Sequence, residues 1–243
     1  MEKLTLCELA KSDLPGLESH SPFCLKVHRA LRAAGLPYTS RHVKMPSELA
    51  AMNPAKQVPV LLVGEQPIAD STRILQRIVA MAPRARLADH PEAWLWEDYG
   101  DRALNGFLVA SRWADDRNWP AVRAAYFGHA PWLVQKLVVP RIRSRVLASL
   151  VARDVTRSGM DALWTEYRRV LDALEERAPL GGFWLGDRLT VADLGLFAQL
   201  HSLRTPLTPW QGREIELRPR LTDWLDRVDE ASRAPALVAL RAA

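Results

Sequence analysis

Two side chains able to handle sulfur stand together in Ser21-Pro22-Phe23-Cys24. Serine is a good N-cap, because its oxygen can accept a bond from a free backbone N–H at a helix start. Proline suits the first helical position, where no N–H donor is required. Phe23, Val27, Ala30, Leu31 and Ala34 then recur at helical spacing. The positive end of such a helix favours an anion beside it. A thiolate meets that requirement: either Cys24 itself, or a ligand thiol held by the Ser21 hydroxyl and nearby backbone N–H groups. The same residues would also serve an ordinary capped helix with a half-buried cysteine.

Two further stretches could hold a peptide-like ligand. Gln57-Val58-Pro59-Val60 opens an apolar run, and proline belongs at a strand start or edge because it removes a ladder donor. A cis Val58-Pro59 bond would turn the Val58 N–H and C=O outward, where an extended peptide could pair with them as a strand would. Asp70-Ser71 precedes a third helical pattern, whose start can bind a carboxylate or carry a capping Asp. His20 beside Ser21 makes a poor hydrolase pair, since adjacent residues rarely present the required geometry. His28 and His42 lack partner spacing for a metal, and no metal site is expected.

The elements that must position these residues follow from the pattern. A strand is expected over 4–9, a polar connection over 11–20, and a helix over 22–34 that stops at Gly35. A second strand over 38–43 leads to a short helix over 47–52, capped by Ser47. A strand over 57–63, a Gly64-Glu65 turn, a return strand over 66–69 and a helix over 72–81 complete the order β-α-β-α-β-β-α. Two parallel strands and a terminal hairpin in that order make a thioredoxin-like arrangement. After a linker over 84–90, every long segment has helical periodicity, including 160–177 and 220–231. The expected fold class is therefore α/β plus all-α: residues 1–82 form the thioredoxin-like domain and 90–243 an all-helical domain.

These pieces resemble the glutathione transferase superfamily. Ser21-Pro-Phe-Cys24, Asn53-Pro-Ala-Lys-Gln-Val-Pro-Val60 and Asp70-Ser71-Thr-Arg-Ile74 occur in that family's order and at about its spacing. Phe183 to Phe197 resembles the family's buried capping motif, with Thr190 and Asp193 in a structural role. The resemblance implies that glutathione, γ-Glu-Cys-Gly, is the co-substrate. Val58 would pair with its cysteinyl unit, Pro59 would set that geometry, and Asp70 and Ser71 would hold the γ-glutamyl end. Gln57 would meet the glycyl end. Ser21 occupies the family's active Ser or Cys position, which implies that its hydroxyl steadies the glutathione thiolate for attack on a small apolar electrophile. Cys24 stays open as a second working residue in a glutathione-dependent reductase or isomerase. A non-catalytic binding or scaffold protein of the same fold is the reading from another class. Relatives are usually homodimers, so a dimer is expected.

Composition limits the alternatives. Over 243 residues, hydrophobic content of 48% and charged content of 25% are ordinary for a globular protein. A net charge of +5 mildly favours anionic partners, but nothing specifies nucleic acid. Two cysteines make no disulfide framework and suit a reducing cytoplasm, where the protein is expected. The main departure from the family is an insertion over 111–159, rich in arginine, which distantly resembles the metaxin-like and Fax-like branch. It could form a lid whose apolar walls are Trp113, Trp119, Tyr126 and Trp132, a basic surface for membrane phosphates or an acidic partner, or simply two long helices with a solvated arginine face.

Overall fold

Four strands, β1 (Leu4–Glu8), β2 (Tyr38–His42), β3 (Val60–Val63) and β4 (Gln66–Ala69), form one sheet in the order β2-β1-β3-β4 in a computed structural model of the protein. The structure describes residues 2–82 and 87–233, so the linker expected over 84–90 lies partly outside the described residues. β1 runs parallel to β2 and antiparallel to β3, which forms a hairpin with β4. Parallel neighbours need a crossover, and α1 (Pro22–Ala33) supplies it. Gly35, at φ +68°, closes that helix: its N–H donates to the Arg32 carbonyl and Leu36 N–H donates to Leu31. The left-handed backbone there is the reason for glycine. α2 (Ser71–Met81) follows the hairpin and packs on α1.

Helices make up the remainder: α3 (Ala93–Tyr99), α4 (Asn105–Trp113), α5 (Trp119–Phe127), α6 (Val139–Ala152), α7 (Met160–Arg177), α8 (Val191–Leu203), α9 (Pro209–Glu216) and α10 (Pro219–Arg233). The arrangement is that of the glutathione transferase fold, a thioredoxin-like sheet domain followed by a helical domain. One expected local feature is corrected. The segment expected as a helix over 47–52 is a 3-10 turn over Pro46–Leu49, and Ser47 does not cap it. Glu48 Oε1 instead accepts from Lys44 N–H and Met45 N–H, both at 2.8 Å, while Pro46 fixes the first turn.

The described residues fall into two compact units, one within 1–101, 179–198 and 223–243, the other within 102–178 and 199–222. In the first, α1 carries three polar residues into the interior. Lys26 Nζ reaches Glu97 Oε1 and Asp101 Oδ2, each at 2.5 Å, and Thr72 Oγ1 donates to the same Glu97 oxygen at 2.9 Å. Arg29 meets Asp229 Oδ1 at 2.6 Å and Glu18 Oε2 at 3.2 Å. His28 lies between Glu8 Oε1 at 2.9 Å and the Tyr38 hydroxyl at 2.7 Å. A Cβ added to Gly195 would stand 2.9 Å from the Glu97 Cα, so α8 can approach α3 this closely only without a side chain.

Asp193 does the expected structural work in the same unit. Its Oδ2 accepts from Thr190 N–H at 2.9 Å and from the Thr190 hydroxyl at 3.0 Å. Its Oδ1 accepts from Trp184 N–H at 2.7 Å and Trp224 Nε1–H at 3.0 Å. Burial pushes the Asp193 carboxyl above the ordinary range, and these donors pull it back. The second unit is organised around Tyr167, which is buried, stacks with Phe107 at 5.3 Å and donates to the Gln211 carbonyl at 3.0 Å. Burial pushes its phenol well above the usual tyrosine range.

Lys26→Met should lower the unfolding free energy by about 3–5 kcal/mol in urea titration, because it strands two carboxylates without their countercharge. The double variant Lys26→Met/Glu97→Gln should recover part of that loss.

Candidate active site

Register brings the candidate residues to one end of the sheet. Cys7 pairs with Val60, and Val60 with Ala69. Extending the two antiparallel registers by one residue puts Pro59 beside the end of β1 on one side and Asp70 on the other. The chain leaving β1 at that end returns to start α1 at Ser21. This is the end at which the central strand and β4 terminate, the usual place for ligand contacts in an open α/β unit. Three stretches separated in sequence thus share one rim.

Ser21 is the N-cap of α1. Its backbone is extended, at φ −83° and ψ 118°, and its Oγ accepts from Cys24 N–H at 3.4 Å. Ser19 Oγ accepts in turn from Ser21 N–H at 3.3 Å. A hydroxyl has one donor besides its acceptor lone pairs. Capping uses a lone pair, so the Ser21 O–H can still donate to an anion at the helix start.

Cys24 lies one turn further in and is fully buried. Burial, reinforced by the Glu8 charge, pushes its thiol up to about 12, while hydrogen bonding with Ser21 and Ser19 works against that rise. At neutral pH it is a protonated thiol, and such a thiol is a poor nucleophile. Cys7 is also buried, and burial raises its thiol too, with Arg41 opposing. Both cysteines are free.

The Val58-Pro59 bond is cis. Val58 packs against the cluster of Cys7, Val43, Leu49 and Val60, and it precedes the ladder, which begins at Val60. Asn53 shapes the turn before it: its Nδ2–H donates to the Gln57 carbonyl at 2.9 Å, and its Oδ1 accepts from Ala55 N–H at 3.1 Å. Gln57 itself is exposed. At the start of α2, Asp70 Oδ1 caps Arg73 N–H at 3.2 Å. Asp70 sits at φ +79° and ψ 128°, a conformation that L-residues rarely adopt. That backbone turns an exposed carboxylate to the rim while Ser71, buried behind it, opens the helix. Among the described residues, no group of three or more His, Cys, Asp or Glu could hold a metal ion.

Sequence reasoning missed two neighbours of the sulfur position. Ser19, buried in the polar connection, meets both Ser21 and Cys24. Glu8, also buried, raises the Cys24 thiol through its charge and meets His28. The only signal for Glu8 was a carboxylate at the end of an otherwise apolar strand.

Two family models match the chain. Residues 20–80 match "Glutathione S-transferase, N-terminal domain", and residues 157–227 match "Glutathione S-transferase, C-terminal domain". The chain is 23% identical to an isoprene-epoxide–glutathione S-transferase of Rhodococcus sp. (strain AD45) over 130 residues, 50% of this chain and 52% of that protein, so the match spans about half of the relative. Among solved structures it is similar to the beta-etherase LigF from Sphingobium sp. strain SYK-6, with a TM-score of 0.65 and 20% identity, covering 95% of this chain and 97% of the other. It is also similar to a glutathione transferase family member from Pseudomonas fluorescens Pf-5 with two glutathione molecules bound, with a TM-score of 0.59 and 18% identity over 96% and 94% of the two chains. The structural likenesses concern the fold.

Neither cysteine should react with Ellman's reagent in the native protein at pH 8, and both should react after denaturation in guanidinium. The raised Cys24 thiol also fixes a pH dependence. In the unfolded chain a cysteine ionises near about 8.5, whereas the folded Cys24 ionises at about 12. The folded state therefore holds the proton more tightly, and this contribution to stability is complete below about pH 8 and lost as pH rises towards 12. Cys24→Ala should flatten the alkaline limb of the stability–pH curve.

Proposed function

We propose that this chain, which belongs to the glutathione S-transferase superfamily, binds glutathione and activates its thiol for attack on a small electrophile. The observation that carries the reading is the common rim of Ser21, Val58-Pro59 and Asp70-Ser71 at one end of the sheet. Residues 1–82 would hold the tripeptide.

Each residue has a separable task. The Val58 backbone pairs with the cysteinyl unit as an added strand would. The Asp70 carboxylate attracts the γ-glutamyl ammonium, and the Ser71 N–H and hydroxyl receive the α-carboxylate at the start of α2. Gln57, exposed beside the Asn53 turn, meets the glycyl end. Ser21 donates to the glutathione sulfur, which favours the thiolate over the thiol and keeps it reactive near neutral pH. The sulfur then forms a C–S bond as the carbon's bond to its leaving group breaks. When that group is oxygen, the departing alkoxide takes a proton from solvent. The names of two relatives, an isoprene-epoxide glutathione S-transferase and a beta-etherase, make epoxides and ethers the first electrophiles to screen.

Cys24 contributes less to this reading, because its thiol is buried and protonated at neutral pH. The family and the two free thiols support a homodimer in a reducing cytoplasm. No helix among the described residues is long and apolar enough to cross a membrane.

Calorimetric titration with glutathione tests the site. The parent should bind in the micromolar-to-millimolar range, and Ser71→Ala should weaken binding about tenfold, the equivalent of one charge-assisted hydrogen bond. Ser21→Ala should bind within a few-fold of the parent but lose the ultraviolet absorbance of bound thiolate at pH 7 and about 10–100-fold in kcat/KM with an epoxide or aryl ether. Loss of the cap alone costs about 1 kcal/mol of stability, which a thermal melt separates from the chemical effect. No binding at millimolar glutathione would sink the proposal.

A further inference from the structure

Charge is unevenly distributed along the chain. From Arg117 to Arg153 the sequence carries seven Lys or Arg residues and no Asp or Glu, against a net +5 for the whole, so the remainder is net acidic. Two of these cations are neutralised: Arg117 pairs with Asp115 at 2.6 Å, and Arg143 with Asp116 at 2.5 Å. Arg123, Lys136, Arg141, Arg145 and Arg153 are exposed and meet no carboxylate among the described residues.

The same segment exposes several large apolar side chains. Helix runs without a break from Trp132 to Ala152, through a π turn over Val134–Val138 and into α6. At its start Trp132 is 67% exposed, Leu133 52%, Leu137 50% and Val138 43%. Leu133, Leu137, Arg141 and Arg145 recur every four residues, so they lie along one line of the helix. Trp132 and Lys136 form the adjoining row, with the ammonium 5.8 Å from the indole ring centre. The outward line therefore changes from apolar to cationic along its length. One turn advances about 5.4 Å, which sets Arg141 and Arg145 about one and two turns behind Leu137. The one-turn separation of Arg141 matches the headgroup layer between hydrocarbon and water, about 5–8 Å on each side of a bilayer, and Arg145, about two turns back, stands on its water side within reach of a long side chain.

We propose that the start of this helix docks on an anionic lipid bilayer, with Trp132, Leu133 and Leu137 entering the hydrocarbon boundary and Lys136, Arg141 and Arg145 meeting lipid phosphates. Indole and lysine at an apolar edge suit that boundary, where each side chain has one wet end and one dry end. The opposite charge of the lipid surface supplies the attraction, and shallow apolar insertion supplies the hold. Other aromatic side chains of the segment are covered by one another. Trp113, Trp119 and Tyr126 pack on one another, with Trp113 at 5.5 Å from Trp119 and 5.9 Å from Tyr126. The Arg143 guanidinium covers Trp119 at 4.6 Å. Trp132 stands apart from that cluster and faces outward.

Flotation of the full chain with vesicles tests the inference. At 100 mM NaCl the parent should float with phosphatidylcholine vesicles containing 30% phosphatidylglycerol, and at least about tenfold less with phosphatidylcholine alone. Binding should fall steeply at 500 mM NaCl. Arg141→Gln/Arg145→Gln should weaken binding to the anionic vesicles about 5–30-fold. Trp132→Ser/Leu137→Ser should abolish it while the thermal melt stays within a few degrees of the parent. Absence of parent binding to the anionic vesicles overturns the proposal, as does binding that both double variants leave unchanged. A dimer in light scattering that Trp132→Ser/Leu137→Ser converts to monomer, with no vesicle binding by the parent, would assign the patch to a second copy and overturn it as well.

Discussion

Lys26 has no access to water, and the placement of α1 rests on how it is satisfied. An isolated buried cation would be too costly to keep. Here Glu97 and Asp101 face it directly, and Thr72 donates to the same Glu97 oxygen. α1, α2 and α3 therefore converge on one carboxylate. Arg29, a turn along the same helix, repeats the arrangement with Glu18 and Asp229. α1 is thus fixed in rotation and in height by charges at defined atoms rather than by interchangeable apolar packing. Rotation of α1 is what sets where the Ser21 hydroxyl points.

Helix–helix spacing supports the same point. Gly195 lets α8 approach the Glu97 backbone, and Gly100 meets the Gly195 backbone at 3.0 Å from its own projected Cβ. α8 is itself pinned at its start by Asp193, which collects four donors from Thr190, Trp184 and Trp224. The result is a relay of fixed positions, from Asp193 to α8, from Gly195 to Glu97 and from Glu97 to Lys26. Each contact is short and directional, so a shift at one end is not absorbed by sliding apolar surfaces.

Local chemistry was readable in the sequence, and long-range charge was not. Helix limits such as Met160–Arg177, the hairpin, the Gly35 stop and the Asp193 cap rest on periodicity and on residues a few positions apart. Ser21 as an N-cap belongs to that class, whereas Val58-Pro59 was legible as a strand head and its cis isomer comes from the structure. Ser47 does not cap, because the turn starts one residue earlier, at Pro46, and Glu48 reaches back to the Lys44 and Met45 N–H groups at its start. Nothing local in the sequence marks Lys26, His28 and Arg29 as buried. Their partners Glu97 and Asp229 lie 71 and 200 residues away, and no spacing rule connects them. The state of Cys24 was hidden for the same reason. Glu8 and the packing of α1 on the sheet decide it, and both are products of the fold.

Position along one helix turn separates the two candidate sulfur handlers. Ser21 stands at the cap, where backbone N–H groups are still unpaired and an anion gains from the helix dipole. Cys24 stands where those donors are already engaged and the surroundings are apolar. A thiolate at Cys24 would lose its hydration, would face the Glu8 charge and would gain only the Ser19 and Ser21 hydroxyls in exchange. On the proposed function, a thiolate brought by a ligand to the rim would keep part of its hydration and receive the Ser21 hydroxyl and the helix end together. The same helix start that suppresses ionisation of its own thiol would then favour that of a guest. A protein carrying its reactive sulfur on a substrate would need that division, because a second reactive thiol at the site would compete for every electrophile that entered.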